Sequence, residues 1–251
     1  MKISVCGKGG SGKSVLTSLL ANQAIARGLS VLVVDSDESN SGLFKMLGFE
    51  KPPVPLMELI GGKKKLKEKM RNPNILAQNH LSIKDISSEY IVKKNGLMLV
   101  SIGKILHALE GCACPMGVLN REFLKKLRLY NNEIAIIDME AGVEHFGRGI
   151  DEGIDKVLLV VEPSFESITV AEKIKEIASG MDKPVVAVLN KIGSEEIAHE
   201  LESKLKIKDI ETIGLIPNDL FVFEACFKGQ SIGHREAFDA AGKVLDNLLK
   251  E

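Results

Sequence analysis

The chain has 251 residues, 33 basic against 34 acidic side chains and a formal net charge of -1, so it carries no global basic field, and neither nucleic acid nor an anionic membrane surface is an expected partner. Its apolar runs are strand-sized, far short of the roughly 18 residues of a spanning helix, and a glycine-rich turn begins too near the N-terminus to leave room for a signal peptide. A cytoplasmic protein with a sizeable core is expected, and its four cysteines should then be reduced thiols rather than structural disulfides.

The first patterned stretch is a short apolar strand, residues 3–6, running into Gly7-Lys8-Gly9-Gly10-Ser11-Gly12-Lys13-Ser14 and then into a helix. The spacing meets G-x-x-x-x-G-K-[ST] in full. Gly9, Gly10 and Gly12 let the backbone curl so that successive N–H groups face phosphate oxygens. Lys13 can reach the β- and γ-phosphates, Ser14 can ligate Mg²⁺, and the helix N-terminus faces the anion. A chance glycine-rich turn is the bland alternative, and strand, loop and helix in the required order argue against it. Residues 7–14 are therefore read as the nucleotide site.

From chemistry alone, Lys8 could be a solvated loop lysine. The form K-G-G-x-G-K-[ST], however, resembles the deviant P-loop ATPases of the MinD, ParA and nitrogenase iron protein group. The resemblance implies an α/β fold, one domain over 1–251 with a mostly parallel twisted sheet flanked by helices. It also implies that Lys8 reaches the partner's nucleotide across the interface of an ATP-dependent homodimer, joining Lys13 in catalysis.

Residues 15–27 place Leu16, Leu19, Leu20 and Ala24 at helical spacing and end before Gly28, a C-terminal cap. Residues 30–34 are the continuous apolar run of a strand buried on both faces. They deliver Asp35-Ser36-Asp37 to a carboxyl edge, where ligands of open α/β sheets sit. The pair could simply cap the next helix; the resemblance implies instead that Asp37 orients the attacking water and Asp35 supports Mg²⁺. Residues 40–97 are the least patterned stretch. Lys63, Lys64, Lys65, Lys67, Lys69 and Arg71 read as the solvated face of a helix. Residues 90–92 and 97–100 flank Lys93-Lys94-Asn95-Gly96, a hairpin signal that places one antiparallel strand near 90–93.

Gly111-Cys112-Ala113-Cys114-Pro115-Met116-Gly117 sets two thiols one residue apart. They can converge on one soft metal ion, but a closed thiolate site takes four ligands. One chain supplies half a site, which a two-fold axis would complete; a structural or redox pair is the alternative. Cys6 reads as core and Cys226 lies in a helical pattern, while for Met116, His107 and His145 packing or hydrogen bonding is favoured over a ligand role. The string, followed by Arg121-Glu122-Phe123-Leu124, resembles the CooC-type accessory ATPases, with their relative AcsF, that mature nickel enzymes. The resemblance implies Ni²⁺, or Zn²⁺, held by Cys112 and Cys114 at the dimer interface. It also implies a nickel-enzyme client, carbon monoxide dehydrogenase or acetyl-CoA synthase.

Residues 133–137 form another buried-type strand, ending in Asp138-Met139-Glu140-Ala141-Gly142 with Glu144 and His145 beyond. Asp138 is placed to hold a Mg²⁺-bound water and Gly142 to bring a backbone N–H near the γ-phosphate, and the string is similar to the second switch of the nickel ATPases. Residues 157–161 and 184–189 are two more parallel strands. The second leads to Asn190-Lys191-Ile192-Gly193, where relatives hydrogen-bond the purine from the asparagine. Gly193 stands where guanine-specific N-K-x-D sites carry a carboxylate, which favours ATP. Residues 211–215 lead to Pro217-Asn218-Asp219, a loop that packs on adenine in relatives and is a generic turn otherwise. A last helix over 237–249 lacks the basic, bulky apolar face of a membrane-targeting helix.

These features point to a Mg-dependent ATPase that, as a homodimer, carries nickel between paired Cys-x-Cys motifs. An iron-sulfur electron-transfer ATPase and a metal-free partitioning or positioning switch are the competing readings.

Overall fold

Each continuous apolar run of the sequence becomes a strand of one sheet in the computed structural model, which describes residues 1–69, 75–104, 114–147, 149–233 and 235–250. The first half of the chain contributes β1 (Lys2–Cys6), α1 (Lys13–Ala26), β2 (Ser30–Asp35), α2 (Leu43–Met46), α3 (Gly62–Lys69), β3 (Leu81–Ser82), β4 (Val92–Lys94), β5 (Leu97–Ser101) and α4 (Cys114–Lys126). The second half contributes β6 (Leu127–Arg128), β7 (Glu133–Asp138), α5 (Glu144–Gly147), β8 (Lys156–Val161), α6 (Phe165–Ser179), β9 (Val185–Ile192), α7 (Glu195–Ile207), β10 (Glu211–Pro217), α8 (Leu220–Lys228) and α9 (Glu236–Leu249).

Eight strands pair in the order β10-β9-β8-β1-β7-β2-β5-β4, parallel throughout except for β4 on β5, while β3 and β6 pair separately. Both faces of the sheet are covered, which is why the strands read as unbroken apolar runs. Val31 and Val33 of β2 join the core built on α1 and α9, whereas Leu32 and Val34 join the core built on α4, α6 and α7. This is the two-residue alternation of a strand. Leu20 of α1, fully buried, illustrates the stakes, since truncating such a leucine to alanine costs about 2–5 kcal/mol.

Three boundaries differ from expectation, each for a local reason. The hairpin turn contains only Asn95 and Gly96, with φ of +50° and +84°, so Lys93 and Lys94 remain in β4, opposite Met98 and Leu97. A two-residue loop with both residues left-handed matches the twist of its strands, and that fixes the register. The strand β9 runs on to Ile192 and takes in Asn190 and Lys191, and β10 runs to Pro217. The lysine-rich segment is helical as expected: Leu66 of α3 is buried while Lys64, Lys65, Lys67 and Lys69 face solvent. Arg71 lies outside the described residues. Among the described residues no helix is long and apolar enough to cross a membrane.

What positions the site is register. In the β2–β7 pairing Asp35 lies opposite Asp138, and in the β1–β7 pairing Val5 lies opposite Asp138. The two aspartates and the glycine loop thus share the carboxyl edge at the centre of the sheet.

Candidate nucleotide site

The turn out of β1 depends on glycine at two places. Gly7 has φ +147°, and a Cβ there would lie 2.6 Å from the carbonyl oxygen of Val160 on the neighbouring strand β8. Gly12 has φ +98°, and its Cβ would run into the Asn190 side-chain amide. Gly10 is also left-handed; Gly9, grouped with these residues on the sequence, is not. Loop carbonyls are taken up by donors: Ser11 N donates to Lys8 O (3.2 Å), Asn190 Nδ2 to Ser11 O (2.7 Å) and Lys191 Nζ to Gly10 O (2.6 Å). Occupied carbonyls suit a loop that must accept a polyanion.

The two loop lysines differ in setting. Lys13 is buried, with Nζ 3.3 Å from Lys8 O. Lys8 folds back on its own chain, where Nζ lies 3.1 Å from Glu162 Oε1 and 3.5 Å from Ser164 Oγ. Glu162 also accepts from Lys191 Nζ at 2.8 Å. Burial works against ionisation of Glu162, but the ammonium groups of Lys191 and Lys8 outweigh it and hold the carboxyl below its ordinary value.

An acidic cluster faces the loop. Ser14 Oγ donates to Asp138 Oδ2 at 2.6 Å and accepts from Asn40 Nδ2 at 2.8 Å, with Thr17 Oγ1 3.5 Å from Asp138 Oδ1. Lys104 Nζ, one residue beyond Gly103 at the exit of β5, lies 2.8 Å from Asp35 and 2.5 Å from Asp37 O, and also donates to Asn40 O. Asp37 Oδ1 accepts from Ser39 N and Oγ and from Asn40 N, closing a local turn and not capping the next helix, which begins at Leu43. Burial pushes Asp138 up to about 7, against the Ser14 hydrogen bond, with Asp35 adding to the rise. Burial likewise raises Asp35 to about 6, and Lys104 opposes it.

These groups fit a magnesium nucleotide. A fully buried carboxyl that keeps its proton near neutrality would be ionised by a divalent cation, and Ser14 Oγ, Asp138 and Asp35 are the oxygen donors that Mg²⁺ prefers. Bound there, Mg²⁺ would neutralise charge on the phosphates.

Gly142 N donates to Gly7 O at 3.2 Å, which brings the loop after β7 against the glycine turn. Lys191 has φ +58°. Asn218 N donates to Ile192 O at 3.0 Å, tying the Pro217-Asn218-Asp219 loop to the end of β9, and Asp219 caps α8 by accepting from Phe221 N at 2.8 Å. His145 is buried with Nε2 3.3 Å from Cys6 Sγ, and Met116 is core; His107 lies outside the described residues.

Cys114 is exposed at the first residue of α4, and Cys112 lies outside the described residues. Cys6 and Cys226 form no disulfide. A metal ligand at Cys114 requires the thiolate, which only the reduced form supplies. Among the described residues no group of three or more His, Cys, Asp or Glu side chains is arranged to hold a metal ion.

The CobQ/CobB/MinD/ParA nucleotide binding domain family matches residues 3–232. The chain belongs to that family. An ATP-binding protein of Methanocaldococcus jannaschii is 44% identical over 237 residues, covering 92% of this chain and 94% of that protein. The carbon monoxide dehydrogenase accessory protein CooC of Rhodospirillum rubrum is 30% identical over 225 residues, covering 87% of this chain and 84% of that one. The septum site-determining protein MinD from Pyrococcus horikoshii, solved with Mg-ADP, superposes with a TM-score of 0.73 at 17% identity over 99% of this chain and 96% of that chain.

This MinD/ParA-type protein is a nucleotide-binding ATPase. Several of its polar groups escape sequence reading. Lys104, Asn40, Thr17 and Glu162 belong to no motif, and each acts through a partner far along the chain. One signal existed: Lys104 and Glu162 both follow predicted strands at a carboxyl edge, where ligands of α/β sheets collect.

Proposed function

We propose that the protein is an ATP-driven homodimeric metallochaperone that carries nickel for insertion into carbon monoxide dehydrogenase or acetyl-CoA synthase. The observation that carries this reading is the Cys112-Ala113-Cys114 pair, ending at the exposed first residue of α4, in a chain similar to CooC over most of its length. Two thiolates from each of two chains make the four ligands of a closed soft-metal site. The metal, Ni²⁺ or Zn²⁺, is cargo.

In this reading Lys13 and Lys8 neutralise phosphate charge, Lys8 from the partner chain. Ser14, Asp35 and Asp138 hold Mg²⁺, Asp37 orients water, and Gly142 approaches the γ-phosphate. Asn190, Lys191, Pro217, Asn218 and Asp219 border the base. A further feature supports dimerisation: α8 buries none of its residues, and Phe223 and Phe227 are 67% and 83% exposed with rings 6.4 Å apart. Apolar surface of that kind marks an association face.

The test is metal titration of the reduced, anaerobic protein with and without ATP or ADP. About one metal per two chains is expected, lost in the Cys112→Ala, Cys114→Ala double variant. Stoichiometric binding that survives the double variant refutes the site. Brown protein with iron-sulfur absorption replaces nickel with a cluster.

A further inference from the structure

Lys104 is 14% exposed and has donors for three hydrogen bonds, one to the Asp35 carboxylate at the end of β2 at 2.8 Å and two into the turn that follows, to Asp37 O at 2.5 Å and to Asn40 O. The two carbonyls bracket residues 37–40, so one ammonium pins both ends of the turn. Inside it Asp37 Oδ1 binds Ser39 N at 2.9 Å and Asn40 N at 3.2 Å. From its far end Asn40 Nδ2 reaches Ser14 Oγ at 2.8 Å, and Ser14 Oγ reaches Asp138 at 2.6 Å.

The base on which Lys104 stands is itself fixed. Ile102 N donates to Asp35 O at 3.0 Å. A Cβ on Gly103 would run into Met116 Sδ and lie 3.0 Å from Met57 Sδ, so the backbone there packs directly on α4, two residues beyond Cys114. A second tie joins the same elements: Asn120 Nδ2 of α4 donates to Ser36 Oγ at 2.9 Å, both groups being buried.

We propose that Lys104 is a positioning residue for ATP hydrolysis, which sets the 37–40 turn and joins it mechanically to the cysteine-bearing end of α4. The catalytic half rests on the reading of Asp37 as the water-orienting group. The physical case is that of a desolvated, charge-assisted contact: removing the ammonium leaves the Asp35 carboxylate buried beside two carbonyls that have lost their donor. The turn then moves, and with it any group that must be held to a fraction of an ångström; misplacement of about 1 Å can cost about 10²-fold in rate.

The experiment uses the full chain with Lys104→Met and Lys104→Arg. Hydrogen exchange of the nucleotide-free protein should rise in Lys104→Met at the amides of Ser39 and Asn40 and in the first turn of α4, and stay at the wild-type level in the sheet. In steady state kcat should fall by about 10- to 100-fold with KM for ATP unchanged within about threefold. Lys104→Arg keeps the charge and should recover part of kcat, although a planar guanidinium fits three divergent acceptors less well. Wild-type exchange at residues 39 and 40 in Lys104→Met overturns the proposal. Raised exchange with unchanged kcat overturns the assignment of Asp37, and with it the catalytic role given to Lys104, while the nucleotide and metal sites stand. A parallel loss of kcat and ATP binding, with exchange raised throughout the sheet, overturns positioning in favour of a general structural role.

Discussion

Lys8 and Glu162 form an ion pair within one chain, Nζ to Oε1 at 3.1 Å, and the same carboxylate holds Lys191 at 2.8 Å. A lysine that serves a partner's nucleotide must first leave this pair. Glu162→Gln is therefore expected to shift the midpoint of ATP-dependent dimerisation to lower protein concentration. Lys8 is about one-third exposed, so the gain should not exceed about fivefold, the worth of a partly solvated pair. Light scattering across a dilution series with ATP measures it, and a midpoint moved upward would show that Glu162 supports the dimer instead of restraining Lys8.

The buried Lys13 and the ion-paired Lys8 should separate on substitution. Lys13→Ala is expected to abolish ATP binding by calorimetry. Lys8→Ala should retain ATP as a monomer while kcat falls about 10²- to 10³-fold, the usual cost of removing one charge-stabilising donor. Equal loss of ATP binding in both variants would place Lys8 on its own chain's nucleotide.

Asp138 gives the nucleotide-free protein a pH dependence of definite sign. Its carboxyl is raised by burial to about 7 from 3.8, so between those values the folded chain binds more protons than the unfolded one. Its contribution to stability is complete below the unfolded value and is lost as pH rises through about 7. Asp35, raised to about 6, acts in the same direction. The melting temperature of nucleotide-free protein should thus fall between pH 5.5 and 8 more steeply than that of Asp138→Asn, as scanning calorimetry would reveal. Mg²⁺ competes with the proton, so Mg-ADP should stabilise more at pH 8 than at pH 6. An identical slope in the variant would deny the buried carboxyl this role.

Gly12→Ala introduces a Cβ into the Asn190 amide at a backbone φ of +98°. Loss of more than about 1 kcal/mol of stability is expected, together with loss of nucleotide binding, because Asn190 holds the loop through Ser11 O. Denaturant unfolding and nucleotide titration on the same preparation check both.

Phe223 and Phe227 of α8 have no core to lose. The double serine variant should change monomer stability by less than about 0.5 kcal/mol and weaken ATP-dependent dimerisation. A monomer melting well below wild type would mean that the stacked pair supports its own helix.

Local chemistry made much of this protein readable in advance. The glycine loop, the aspartates at strand ends and the parallel strands follow from spacing and from apolar runs long enough to be buried on both faces, and the Asn-Gly turn follows from its left-handed backbone. The likeness to the MinD and ParA ATPases was likewise carried by Lys8 and the loop, and the family match bears that part of the resemblance out. Tertiary structure alone decided which polar groups meet. Nothing in the sequence joins Lys104 to Asp35, 69 residues away, or Lys8 to Glu162, 154 residues away. Those pairings exist because parallel pairing sets β5 beside β2 and β8 beside β1. A charged side chain at a strand exit carries no periodicity of its own; only the order of strands in the sheet determines the carboxylate it will face.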